Sequence, residues 1–130
     1  MTKTILVVDD DPAVLLSYTR LLRRLGHRVL LSEDSEKVST DPDSLREVDL
    51  LILDQRMPRT SGLALLAGLR GRNSRGCSGP AVILISAFLS REIRTEAARL
   101  GVVEVIEKPV DNAHLLASVR AALGGSIPRP

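Results

Sequence analysis

Cysteine occurs once in the 130 residues, at Cys77, so no disulfide can form within the chain and a disulfide-stapled scaffold is excluded. Tryptophan is absent, and Tyr18 and Phe88 are the sole aromatic residues. Any core must therefore be aliphatic. A surface that stacks nucleic-acid bases on aromatic rings has almost nothing to be built from. No apolar run approaches the roughly 20 residues that a membrane-spanning helix needs. The apolar run after Lys3 ends in Asp9-Asp10-Asp11, not in a small-residue cleavage site. A cytoplasmic protein without membrane contact is the expectation. Charge of one sign is missing too: 18 basic residues face 16 acidic ones, for a net +2. No basic run exceeds Arg23-Arg24, so direct nucleic-acid binding by this segment is not supported.

What is present is ordinary globular composition, 44% hydrophobic and 26% charged, at a length that suits one domain. Ile5-Leu6-Val7-Val8, Leu50 to Leu53, Ala81 to Ile85 and Val102 to Ile106 are short, continuous apolar runs. Each stops at a polar or charged residue. Continuous rather than alternating hydrophobicity suits strands covered on both faces, as in a parallel sheet. A weaker strand is expected from Arg28 to Ser32.

Helical patterns lie between the runs. Asp11-Pro12 combines an N-cap residue with proline at the first helical position. Val14, Leu15, Tyr18, Leu21, Leu22 and Leu25 then follow helical spacing, and Gly26 is the stop signal. Leu63, Leu66 and Leu69 mark another helix. Ser90 opens a fourth, with Ile93, Ala97 and Leu100 on one stripe and Gly101 behind it. Asp111 caps the last, whose stripe is Leu115, Leu116, Val119, Ala122 and Leu123. Between Ser35 and Glu47, Asp41-Pro42 interrupts the pattern. The expectation there is irregular chain followed by a short helix that begins at Pro42. Gly71 to Pro80, which includes Cys77, reads as an exposed loop, and residues 124–130 as a linker or disordered tail. Strand–helix alternation of this kind predicts an α/β fold with a parallel sheet and right-handed crossovers.

In such a sheet the carboxyl ends of the strands share one edge, where ligands bind. That edge would receive Asp9, Asp10, Asp54, Ser86 and Lys108. Clustered carboxylates repel unless a cation neutralises them, and hard carboxylate oxygens suit Mg2+. Asp11 is read as a helix cap rather than a metal ligand. His27, His114 and Cys77 have no partner at ligand spacing and are read as structural or solvated. Met57-Pro58 and Gly62 are read as turn-forming elements.

Val7-Val8-Asp9-Asp10-Asp11, Leu53-Asp54-Gln55-Arg56-Met57-Pro58 with Gly62, Ile85-Ser86-Ala87 and Lys108-Pro109, in that order, resemble the receiver domain of two-component response regulators. The likeness spans residues 3 to 123. It implies a flavodoxin-like doubly wound (βα)5 fold with a five-stranded parallel sheet of order 2-1-3-4-5, and a receiver domain over residues 1–123. It further implies that Asp54 is the phospho-acceptor for a sensor histidine kinase. Asp10 would ligate Mg2+ directly, Asp9 largely through water, and the Arg56 backbone carbonyl would be a further ligand. Lys108 would pair with Asp54 and then with a phosphoryl oxygen. Ser86 would donate its hydroxyl to another and draw its loop inward, and the Lys108-Pro109 bond would be cis.

The same resemblance implies a signalling module rather than an enzyme in the usual sense, with only self-phosphorylation and self-dephosphorylation activity. It implies an output domain or protein as partner. It also implies a homodimer surface on the fourth helix, fifth strand and fifth helix, where Arg91, Arg94 and Arg99 sit among Glu96, Glu104 and Glu107. Two positions that tune the attacking water are Arg56 and Phe88, and neither can act as a general base. The family commonly has Tyr or Phe three residues before the lysine; here that residue is Val105. Other readings fit less well. A pseudo-receiver would not need the intact acid set. A phosphoaspartyl hydrolase would want a second Asp at Arg56. A flavin site would want a hydroxyl- and glycine-rich loop where Asp9-Asp10-Asp11 would repel phosphate.

Overall fold

A computed structural model describes residues 2–40, 45–72 and 79–124. The chain alternates β1 (Thr4–Val8), α1 (Pro12–Leu22), β2 (Arg28–Ser32), α2 (Ser35–Thr40), β3 (Leu50–Asp54), α3 (Gly62–Arg72), β4 (Ala81–Ser86), α4 (Arg91–Arg99), β5 (Glu104–Glu107) and α5 (Asn112–Ala122). All pairings are parallel, and the sheet order is β2-β1-β3-β4-β5. The hydrophobic runs predict the parallel α/β sheet, and the strand order is the one that the receiver-domain resemblance implies.

The runs are continuous because each strand feeds two cores. Ile5, Val7, Leu50, Ile52, Ile83 and Ile85 pack with Leu15, Leu22, Leu115 and Val119 from α1 and α5. Leu6, Val8, Leu51, Leu53, Val82 and Leu84 pack on the other side with Leu63, Leu66 and Leu69 from α3 and Ala97 from α4. Successive side chains of a strand point to opposite faces, so neither face can tolerate a polar alternation. Met57 belongs to the second core and is buried, so it is a packing residue rather than a turn element.

Local signals act as the sequence suggests at most helix ends. Asp11 Oδ1 accepts the Ala13 N–H at 2.9 Å, Ser90 Oγ accepts the Ile93 N–H at 3.1 Å, and Asp111 Oδ2 accepts the His114 N–H at 3.0 Å. Each satisfies a donor that the first helical turn leaves free. After α1 a turn of 3₁₀ helix, Arg23–Leu25, ends at Gly26, whose φ of 79° lies in the left-handed region that glycine enters without a side-chain clash.

Three expectations need correction. α2 occupies Ser35–Thr40, where irregular chain was expected, because Asp34 Oδ1 accepts the Glu36 and Lys37 N–H groups at 3.0 and 3.2 Å and starts the helix early. Residues 41–44, where the expected helix would begin, lie outside the described residues. Gly71 and Arg72 complete α3 instead of opening a loop, while Cys77 lies outside the described residues. β5 starts at Glu104, not Val102, although the Val103 N–H already reaches Val82 O at 2.8 Å. Of the expected tail, residues 125–130 lie outside the described residues. Among the described residues no helix is long and apolar enough to cross a membrane.

Ile83 has no exposed surface and fills the α1–α5 side of the sheet. Its replacement by alanine removes buried surface and leaves a cavity, at a cost of about 2–5 kcal/mol. In urea titration the midpoint of Ile83→Ala should fall with the slope unchanged. Leu16→Ala, at a position 52% exposed, should stay within about 0.5 kcal/mol of native.

Candidate functional site

Three strand ends and one loop converge at the carboxyl edge of the sheet. β1 ends at Val8, so Asp9 leaves the ladder while its N–H still bonds Ser32 O at 3.1 Å. β3 ends on Asp54 itself, beside Ile85 of β4. The Lys108 N–H bonds Ser86 O at 2.8 Å, which continues the β4–β5 pairing one residue past β5. The Lys108-Pro109 bond is cis.

Side chains then close the corner. Carboxylate oxygens of Asp9, Asp10 and Asp54 lie within 4.8 Å of one another. Asp9 and Asp54 are buried, at 3% and 6% exposure, and Asp10 is exposed. Lys108 Nζ lies 3.1 Å from Asp54 Oδ1. The approach is oblique: Oδ1 has a charge partner, yet it is buried and receives no directed hydrogen bond. Asp9 Oδ1 accepts the Asp11 N–H at 2.9 Å, and Asp11 itself caps α1 and stands apart from the cluster.

Three carboxylates with one ammonium leave negative charge in excess. At an effective dielectric of about 20, carboxylates this close repel by roughly 3 kcal/mol per pair. The Asp9 carboxyl gives up its proton less readily. Burial is the largest cause that raises the Asp9 carboxyl from 3.8 to about 6; Asp54 adds to it, and the Asp11 N–H opposes it. The Tyr18 phenol is pushed up to about 12, first by burial and then by Asp9 and Asp54. Tyr18 is the neighbour that helical spacing alone did not reveal, because its stripe position reads as core.

Hard oxygen donors, an unbonded buried oxygen and an exposed third carboxylate fit a divalent cation that keeps several waters, which describes Mg2+ better than a caged Ca2+. Ser86 is buried at the same edge, but its hydroxyl is engaged elsewhere. It donates to Phe88 O at 2.6 Å and accepts the Phe88 N–H at 3.2 Å. Arg56 and Phe88 are both exposed, Phe88 at 73%.

Other site candidates fall away from the corner. His27 Nδ1 accepts the Lys3 N–H at 3.1 Å. His114 Nε2 lies 2.6 Å from Glu104 Oε2, a β5–α5 tie between residues ten apart that spacing did not suggest. A groove of about 690 Å3 runs between α1 and the β5–α5 turn, lined by Ser17, Tyr18, Arg20, Arg24, Lys108 and Asn112 among others.

The model of the response regulator receiver domain matches residues 5–120. The transcriptional regulatory protein FixJ of Azorhizobium caulinodans is 38% identical over 120 residues, which cover 92% of this chain and 54% of that protein. The chain thus spans about half the length of that relative. Among solved structures, that of FixJ-N is 25% identical, with a TM-score of 0.80 and 99% of each chain covered. A CheY-like receiver domain protein from Methanospirillum hungatei is 25% identical, with a TM-score of 0.80 and 95% of each chain covered.

The Asp9 shift has a sign that experiment can read. The folded chain binds this proton more tightly than the unfolded chain does. The associated stability is full below pH 3.8 and is lost as pH rises through about 6. In chelator, Asp9→Asn should therefore be more stable than native above pH 6, by on the order of 2–3 kcal/mol. The difference should vanish near pH 4. Urea midpoints across that range check it; parallel pH profiles for the two proteins would contradict it.

Proposed function

From the premise that the chain belongs to the response regulator receiver domain family, a family of signalling domains rather than classical enzymes, we propose that it takes a phosphoryl group onto Asp54. The donor is a sensor histidine kinase, and the acquired phosphoryl group changes the conformation that an output domain or protein reads. The domain comprises residues 1–123, and the protein works in the cytoplasm. The observation that carries this reading is the buried Asp54 carboxylate, with one oxygen unbonded, held beside Lys108 among Asp9 and Asp10.

In the transfer an Asp54 oxygen forms a bond to phosphorus while the phosphorus–nitrogen bond of the phosphohistidine breaks. The electron pair of that bond returns to the imidazole. Asp9, Asp10, Asp54 and the Arg56 backbone carbonyl would hold Mg2+, which supplies charge neutralisation on the transferring group. Lys108 lies close enough to follow the new negative charge from Asp54 to a phosphoryl oxygen. Ser86 must release Phe88 O before its hydroxyl can serve a phosphoryl oxygen, so switching trades one hydrogen bond for another and moves the backbone at Phe88. With Val105 in place of an aromatic ring, this loop is the relay to the output face.

A homodimer through α4, β5 and α5 draws on a reduced charge set. Glu96 is paired with Arg99, and Glu104 with His114, inside the chain. Among the described residues Arg91, Arg94 and Glu107 are left for reciprocal ion pairs across a two-fold axis.

Acetyl phosphate with Mg2+ should add the mass of one phosphoryl group to the native chain and none to Asp54→Ala. Equal labelling of the two would refute the assignment. The label should also last: neither Arg56 nor Phe88 can draw a proton from an attacking water. Its decay, followed by mass after donor removal, should be slower in the native chain than in an Arg56→Asn, Phe88→Glu double variant. The opposite order would contradict this.

A further inference from the structure

α3 carries glycine at its first residue, Gly62, and again at Gly68 and Gly71. A glycine inside a helix is unfavourable relative to alanine, so each needs a reason. Backbone freedom is not the reason at Gly62. The described glycines with positive φ are Gly26, Gly101 and Gly124, and Gly62 is helical. Space is the reason. A Cβ at Gly62 would lie 2.7 Å from the Asp54 carbonyl oxygen, 3.0 Å from Leu84 Cδ1 and 3.2 Å from Gln55 Cα. A Cβ at Gly68 or Gly71 would meet nothing within 4 Å. Two of the three obstacles at Gly62 are backbone atoms, which cannot rotate aside.

The obstructed backbone is that of the acceptor. The Gly62 N–H bonds Gln55 O at 3.0 Å, and Gln55 Oε1 accepts the Leu63 N–H at 2.9 Å. The Gln55 N–H bonds Ile85 O at 2.8 Å, and Arg56 forms an antiparallel bridge with Ser61. The start of α3 is thus fastened directly to residues 54–56, with the sheet fixed behind them. Anything that pushes α3 away from the Asp54 carbonyl also shifts the carboxylate relative to Asp9, Asp10 and Lys108.

We propose that Gly62 is a positioning residue for phosphoryl transfer. Its missing side chain lets α3 press against the end of β3, and this contact sets the Asp54 carboxylate in the acidic corner. The inference rests on Asp54 being the acceptor. The step it serves forms the Asp54 oxygen–phosphorus bond and breaks the bond from phosphorus to its leaving group, which departs with the electron pair.

The test compares native protein, Gly62→Ala, Gly68→Ala, Leu84→Val and the Gly62→Ala, Leu84→Val double variant. Labelling by acetyl phosphate with Mg2+ is one readout; binding of Mn2+ alone, followed by electron paramagnetic resonance, is the second; the thermal midpoint is the third. A misplacement approaching 1 Å lowers a positioned reaction by about 100-fold. Gly62→Ala should therefore label on that order more slowly at saturating donor, with the half-saturating donor concentration little changed, and should bind Mn2+ more weakly. Gly68→Ala should match native in both and melt no lower. The double variant removes the Leu84 contact but leaves the Asp54 carbonyl contact. Its labelling and Mn2+ affinity should stay as low as those of Gly62→Ala. If Gly62→Ala alone does not fold, the double variant carries the same comparison against Leu84→Val. Native labelling and native Mn2+ affinity in Gly62→Ala would overturn the proposal. So would full recovery in the double variant, which would assign the glycine to Leu84 packing. A native chain that takes no phosphoryl group would refute the acceptor reading instead, and the Mn2+ comparison would still decide the role of Gly62.

Discussion

Asp54 and Lys108 meet at 3.1 Å although they leave the sheet from the ends of β3 and β5, with β4 between them. A buried carboxylate this close to two others is tolerable because that ammonium offsets part of the repulsion. Everything that places Lys108 therefore bears on the acidic corner: the β4–β5 ladder and the Lys108 N–H bond to Ser86 O. The compensation is incomplete. The oblique approach of the ammonium leaves Asp54 Oδ1 without a directed hydrogen bond, and Asp10 stands in solvent. A corner built this way is ready for a cation and for an incoming anionic group that the cation can screen.

The two cores give the corner its rigidity. Tyr18 is the one aromatic residue in them, and together they clamp β3 on both faces, so that Leu50 to Asp54 are all buried. Interiors packed to crystal-like density shift between discrete arrangements rather than deforming smoothly. The loop after β4 lies outside both cores. There Ser86 holds Phe88 by two hydrogen bonds, and Phe88 is the one aromatic residue that the cores do not use. Val105 is only partly buried against the α3–α4 core, and as a β-branched side chain it is stiff about its first torsion. A response that begins at Ser86 thus has a backbone route outward, and no aromatic side chain at Val105 to relay it.

Sequence reading did best where one residue acts on its neighbours. Asp11, Ser90 and Asp111 cap the helices that follow them, and glycine closes α1 and its 3₁₀ extension, because capping is a matter of hydrogen bonds two or three residues away. It did less well where two local signals competed. At α2 Pro42 interrupts the helical pattern, while the Asp34 carboxylate starts a helix at Ser35. It could not see pairs that only folding creates. Glu104 and His114 are ten residues apart on different elements, and Tyr18 reads as one more core position until its nearness to Asp9 and Asp54 appears.

The sequence by itself determined the sheet and its chemistry-bearing edge. Short apolar runs that stop at Asp9, Asp54, Ser86 and Glu107-Lys108 require buried parallel strands, and parallel strands deliver their carboxyl ends to one side. Tertiary structure alone decided how those groups face one another. It turned the Ser86 hydroxyl toward Phe88 O, left Asp54 Oδ1 unbonded beside Lys108, and set the Gly62 backbone against the Asp54 carbonyl. The physical reason is range. Hydrophobic periodicity and capping are written within a few residues, whereas distances between charges, and the space left for one missing Cβ, are fixed only when separate elements pack.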